Sequence, residues 1–177
     1  MTAAYEELIH LFDQREIGYS TGEGQAIRTD LRGEVATYRL VARVEDDTDL
    51  FQVFGYSPLR VPEGCRPAVA ETLTRANYGL RIGKFEMDLD DGELRFQVAQ
   101  ILVHDTLGED VIDRMIGTTI NMLDMYLPAV LSVIYANELP QDAVRRVEGV
   151  YRQSGQTADN ADGDEDDVAE DDVAEDD

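Results

Sequence analysis

Lys84-Phe85-Glu86-Met87-Asp88-Leu89-Asp90-Asp91-Gly92-Glu93-Leu94-Arg95-Phe96-Gln97-Val98 is the stretch whose reading decides the fold. Phe85, Met87 and Leu89 alternate with charged residues, and Leu94, Phe96 and Val98 alternate with Arg95 and Gln97. Period two over both runs predicts two half-buried strands. Asp91-Gly92 suits a two-residue type I′ turn, whose central residues both need positive φ. That loop would set Leu89 opposite Leu94, Met87 opposite Phe96, Phe85 opposite Val98 and Asp88 opposite Arg95. A one-residue slip would turn every apolar side chain outward, so the faces are firmly specified.

Downstream, Thr106-Leu107-Gly108-Glu109 fits a capping box and predicts a helix start. Ile112, Met115, Ile116, Thr119, Leu123, Tyr126, Leu127, Val130, Leu131 and Ile134 follow at spacings of three and four, a stripe that faces a core. Pro128 predicts a kink or break near Leu127. Asn137 closes this helix, and Pro140 opens a short last one with Val144, Val147 and Tyr151 inward.

Upstream, Tyr5, Leu8, Ile9 and Phe12 mark a first helix capped by Thr2. Ile27, Thr29 and Leu31 alternate with polar residues, as do Tyr38, Leu40, Ala42 and Val44, and 50–56 reads as a third strand. Pro67 begins a second helix with Val69, Leu73 and Ala76 on one face and Gly79 at its end. The order is α-β-β-β-α-β-β-α(α). It predicts an α+β domain with an antiparallel sheet of about five strands covered by helices.

Composition sets limits on partners. The chain carries 38 acids against 15 bases, and residues 157–177 hold 12 of the acids and no base. Residues 1–156 still carry a net charge of −11. Binding to nucleic acid through a basic stripe, or to an anionic membrane surface, is therefore not expected. Lys84 is the single lysine beside 14 arginines. Acid excess with scarce lysine fits the cytosol of a salt-accumulating organism, where molar salt shortens the Debye length to about 3 Å. Residues 1–153 are expected to form the domain and 154–177 a disordered acidic tail. Met1 to Glu7 has the form of no signal peptide, and the apolar run 127–136 is too short to span a bilayer, so a cytoplasmic setting is expected.

Two further passages carry a resemblance. Asn77-Tyr78-Gly79-Leu80-Arg81-Ile82-Gly83-Lys84-Phe85, running into the hairpin, and Leu123-Asp124-Met125-Tyr126-Leu127-Pro128-Ala129-Val130 are similar to segments of the YbjN family. The resemblance covers roughly residues 3–137. It implies a type III secretion chaperone-like fold and a role among sensory or stress regulators. It implies no reaction and no site residues. Secretion chaperones of that fold are acidic dimers that hold client segments.

The residues themselves suggest binding rather than catalysis. His10, His104 and Cys65 have no convergent partners in sequence, so neither a catalytic set nor a metal or cofactor site is expected. Arg28, Arg39, Arg43 and Arg95 sit on polar strand faces, where they could gather an anion or pair with Asp30, Glu45 and Asp88. Val41, Phe51 and Val53 are expected as an apolar patch on the open sheet face. Val111, Met122, Met125, Ala129 and Val133 form a second apolar face on the long helix. That face predicts a protein partner, in the simplest case a second copy as a homodimer. The expected role is a non-enzymatic protein-binding or regulatory module. The alternatives are a small-ligand-binding protein or hydrolase with an unrecognised pocket, or an acidic chaperone acting through its tail.

Overall fold

The computed structural model describes residues 2–45 and 47–161, with side chains as far as 153. Among these residues, α1 (Ala3–Gln14), α2 (Arg66–Gly79), α3 (Glu109–Tyr135) and α4 (Pro140–Ala161) accompany six strands. The strands are β1 (Ser20–Thr21), β2 (Gln25–Arg32), β3 (Thr37–Glu45), β4 (Leu50–Arg60), β5 (Lys84–Met87) and β6 (Glu93–Ile101). They form one antiparallel sheet in the order β1-β2-β3-β4-β6-β5. This is the expected α+β architecture with one more strand, the two-residue β1, which lacks any apolar periodicity to announce it. Most of the acidic tail expected from 154 lies outside the described residues, while the backbone of 154–161 continues α4.

Alternation puts Ile27, Tyr38, Leu40, Ala42, Val44, Phe51, Val53, Phe96 and Val98 on one face of the sheet, all buried. Helices α1, α2 and α3 cover that face, and α4 packs outside on α2 and α3. Each fully buried Leu or Phe contributes about 1.5–3 kcal/mol relative to exposure. Helix α3 meets the length and hydropathy of a membrane span. Here it is the core helix, with Ile112, Leu123 and Val130 at most 1% exposed.

The hairpin forms with its apolar faces as expected but with a register two residues away. Phe85 lies opposite Phe96, Glu86 opposite Arg95 and Met87 opposite Leu94. A slip of two preserves the faces, and it brings the ring of Phe85, expected opposite Val98, edge-on to Phe96 at 4.9 Å. Only Gly92 has positive φ, so no type I′ turn forms at Asp91-Gly92. A longer loop closes instead, with Asp88 N–H donating to Glu93 O and Gly92 N–H to Asp88 O, both at 2.9 Å. Two carboxylates hold its shape: Asp88 Oδ1 accepts from Asp90 N–H and Asp91 Oδ1 from Glu93 N–H, each at 2.8 Å. Leu89 loses its cross-strand partner and stands 62% exposed.

The paired positive φ of a type I′ turn appears elsewhere, at His104 and Asp105 between the bridged residues Val103 and Thr106. This turn also replaces the expected capping box. The N-cap of α3 is Gly108, and Thr106 Oγ1 donates to His104 O. Asp105 instead caps α1, accepting from Ala3 N–H at 2.7 Å, while Glu7 of α1 accepts from Leu107 N–H at 2.7 Å. Thr2 caps α1 as expected. Pro128 does not break α3, which runs unbroken to Tyr135. Buried Tyr126, Leu127, Ala129 and Val130 grip the helix on both sides of it, and this packing outweighs the ~3 kcal/mol cost of an internal proline.

Candidate interaction surfaces

Two surfaces bring together side chains singled out in the sequence. The first is a groove between α3 and α4. Met122, Met125, Ala129 and Val133 follow one another on α3 at helical spacing. Helix α4 folds back along this face: Tyr126 Oη donates to Glu148 Oε1 at 3.0 Å, and Arg146 reaches Glu138 at 2.9 Å. Burial is the main force lifting the Tyr126 hydroxyl pKa, and the Glu148 bond adds to it.

The consequence for the expected helix face is a correction. Ala129 and Val133 are 0% and 6% exposed, packed in the same core as Ala143, Val144 and Val147 of α4. They belong to the interior because the last helix claims them. Val111 is half-buried in the first turn of α3, two helical turns before Thr119. Met122 and Met125 remain at the surface, half-buried. Met125 and Tyr151 line concavities on both sides: one of about 400 Å³ with Glu34, Asp124 and Val150, the other of about 410 Å³ with Ile82, Met122 and Arg152. Tyr151, expected inward, is 50% exposed, beside Val150 at 64%, with Ile82 at 55%.

Asp124 builds one end of this groove. Its carboxylate accepts from the Glu34 and Val35 amides at 2.7 and 2.9 Å and from Tyr38 Oη at 2.6 Å. One α3 side chain thereby anchors the β2–β3 turn. Burial, with the bond to Asp124 second, pushes the Tyr38 hydroxyl pKa far up.

The second surface is the sheet face left open by the helices. Val41 lies there as expected. Phe51 and Val53 do not: both are 0% exposed in the core, because Phe51 pairs with Val44 and Val53 with Ala42. The aromatic residues of the open face are Phe54 and Tyr56, opposite Val41 and Arg39. Arg39 lies 4.6 Å over Tyr56, and Arg95 and Arg43 lie 4.8 and 5.8 Å over Phe54. Arg43 pairs with Glu45, Arg39 with Glu93 at 3.6 Å, and Arg95 with Glu86 at 2.7 Å. Of the acids expected as partners, only Glu45 serves; the slipped hairpin register replaces Asp88 with Glu86. Burial opposes ionisation of Glu86, but Lys84 and Arg95 outweigh it and hold the carboxyl below its usual range. Arg28 has no ion-pair partner among the described residues.

His10 is exposed on α1, His104 sits in the type I′ turn, and Cys65 lies half-buried in a 3-10 turn ahead of α2. Among the described residues, no three His, Cys, Asp or Glu side chains come together as a metal cluster.

Residues 4–132 match the sequence profile of YbjN, described as "putative bacterial sensory transduction regulator". The chain belongs to the YbjN family. Its fold is similar to the crystal structure of "YbjN, a putative transcription regulator from E. coli", at 12% identity and a TM-score of 0.53, over 78% of this chain and 97% of that one. No curated protein matches the chain. The YbjN match stops at 132, inside α3, so α4 and its wall of the groove come from sequence beyond it.

Proposed function

We propose that this YbjN-family chain is a non-enzymatic regulatory module that binds a protein partner in the groove between α3 and α4. The observation that carries this reading is Met122 and Met125 half-buried beside exposed Ile82, Val150 and Tyr151. Contiguous apolar surface of this kind marks binding sites, and methionine adapts its shape to a partner. The family's description as a regulator supports the same role. The simplest partner is a second copy related by a two-fold axis.

The test pairs Met125→Arg with the wild type. Light scattering at native salt reads self-association, and capture from a lysate of the source cells reads other partners. The variant should lose the bound species while its far-ultraviolet circular dichroism stays unchanged. Equal binding by both forms removes the groove as the site.

A further inference from the structure

The two concavities of the α3–α4 groove share a ridge, Met125 with Tyr151, and differ in the charge they keep. On one side stand Glu34, Asp124 and Arg146. Asp124 is engaged with the Glu34 and Val35 amides and with Tyr38 Oη, and Arg146 with Glu138 at 2.9 Å. The uncommitted charge on that side is the Glu34 carboxylate. On the other side stand Arg81, Arg152 and Glu148. Glu148 accepts from Tyr126 Oη at 3.0 Å and pairs with Arg152 at 3.5 Å. The uncommitted charge there is the Arg81 guanidinium. Among the described residues neither Glu34 nor Arg81 has a side-chain partner, and both are exposed.

Resting on the groove as the binding site, we propose that its occupant is a second copy of this chain, turned about a two-fold axis through the Met125–Tyr151 ridge so that Arg81 of each copy meets Glu34 of the other. A two-fold contact must complement itself: what one flank of the axis presents, the opposite flank has to receive. A foreign partner sets no such condition. Here an apolar ridge is flanked by one free cation and one free anion, and the rotation exchanges the flanks. It also lays ridge on ridge, with Met125 and the half-exposed Tyr151 against their own copies. Methionine reshapes readily in such a contact.

The two flanks lie level along α3, since Thr118 and Met122 line one and Asn121, Asp124 and Pro128 the other. Both charges stand on pinned turns. The Glu34 N–H is held by Asp124 at 2.7 Å. Arg81 lies between Asn77 and Phe85, which are joined by bonds of 2.7 and 3.0 Å. Little backbone ordering is therefore left for the encounter. Exposed ion pairs add little affinity, but they fix orientation, and a like-charge contact in their place is destabilising. Residues 1–156 of each copy carry −11, so salt must first screen the repulsion between copies.

The experiment follows the molar mass of the full chain by sedimentation equilibrium in about 0.3 M potassium chloride, where a Debye length of roughly 5–6 Å screens net repulsion but not a contact pair. The wild type should dimerise. Arg81→Glu and Glu34→Arg should each raise the dimer Kd about tenfold or more, although the first adds negative charge and the second removes it. An equimolar mixture of the two variants should recover the wild-type Kd, because in the mixed dimer both contacts again join opposite charges. If either reversal unfolds the chain, Arg81→Gln and Glu34→Gln take its place, each raising Kd by a smaller factor. A wild type that stays monomeric at every concentration overturns the proposal and leaves the groove to the partners read by lysate capture. Weakening by both reversals without recovery in the mixture overturns the two-fold placement. A dimer indifferent to both reversals but dissociated by Met125→Arg overturns the Arg81–Glu34 contact and keeps the groove. A dimer indifferent to Met125→Arg as well removes both readings.

Discussion

The side-chain amide of Asn77 forms two hydrogen bonds with the main chain of Phe85. Oδ1 accepts from Phe85 N–H at 2.7 Å, and Nδ2 donates to Phe85 O at 3.0 Å. Phe85 faces Phe96 across the ladder, and its own main-chain groups point away from β6, to the open edge of the sheet. Asn77 occupies the place of the next strand and closes an edge that would otherwise pair with another chain. The amide presents a donor and an acceptor side by side, matching the carbonyl and N–H of one residue, whereas a carboxylate only accepts.

Asn77→Asp should therefore cost as much stability as Asn77→Ala, about 1–3 kcal/mol, because a carboxylate presents an acceptor to the Phe85 carbonyl. Urea denaturation reads the loss. An Asp variant as stable as wild type would show that the donor bond contributes nothing.

Asp124 makes the same kind of bond at longer range, gathering Glu34, Val35 and Tyr38. Asp124→Ala should cost about 2–3 kcal/mol and Tyr38→Phe about 1 kcal/mol. The double variant should lose less than the sum, since both remove the 2.6 Å bond between them. Strict additivity in unfolding experiments would mean that the bond carries no coupling energy.

These two residues also show what the sequence does and does not disclose. Asn77 and Asp124 both fall in segments that resemble YbjN, yet their bonds join helix side chains to main chain 8 and about 90 residues away. No local pattern encodes such a reach. Strand faces were legible wherever apolar and polar residues alternate, as at Tyr38 to Val44. In β4 the run Phe51-Gln52-Val53-Phe54 is buried throughout, so its phase is set only by pairing with β3. That is why Phe51 and Val53 changed places with Phe54. Ala129 and Val133 looked free because α3 alone does not reveal which side α4 will cover.

The Glu86 carboxyl titrates below its usual range in the folded chain. Its stabilising contribution is therefore fully present above the unfolded pKa, about 4.3, and is lost as pH falls through the lower folded value. Glu86→Gln should lower the thermal midpoint at pH 7. The gap to wild type should narrow as the pH falls from 7 down through the ordinary carboxylate range and below it. A gap that is constant over that range would assign the loss to packing instead.

Stability should rise with salt, because the folded part carries −11 and screening relieves self-repulsion. The surface pairs of Arg39, Arg60 and Arg145, with at least 56% of each arginine side chain exposed, weaken in salt but are worth little to begin with. Thermal midpoints measured from about 0.1 M to 2 M potassium chloride decide between the two effects. A flat or falling midpoint would remove the salt-adapted reading of the composition.

The hairpin turn makes a sharper claim about one residue. Gly92 has φ +77°, and a Cβ there would stand 2.2 Å from Val61 O. Val61 cannot retreat freely: it is 1% exposed, and its N–H donates to Gly92 O at 2.8 Å. Gly24 has a similar φ of +69°, and a Cβ there would meet nothing within 4 Å. The two glycines thus separate backbone strain from collision. Gly24→Ala should cost only the left-handed strain, about 1–2 kcal/mol. Gly92→Ala adds a displaced main-chain segment and a broken hydrogen bond, so its loss should exceed that of Gly24→Ala by about 1 kcal/mol or more. Urea midpoints of the two variants at one salt concentration give the comparison directly. Equal losses would mean that the β4–α2 connection yields, and that the turn is not pinned against Val61.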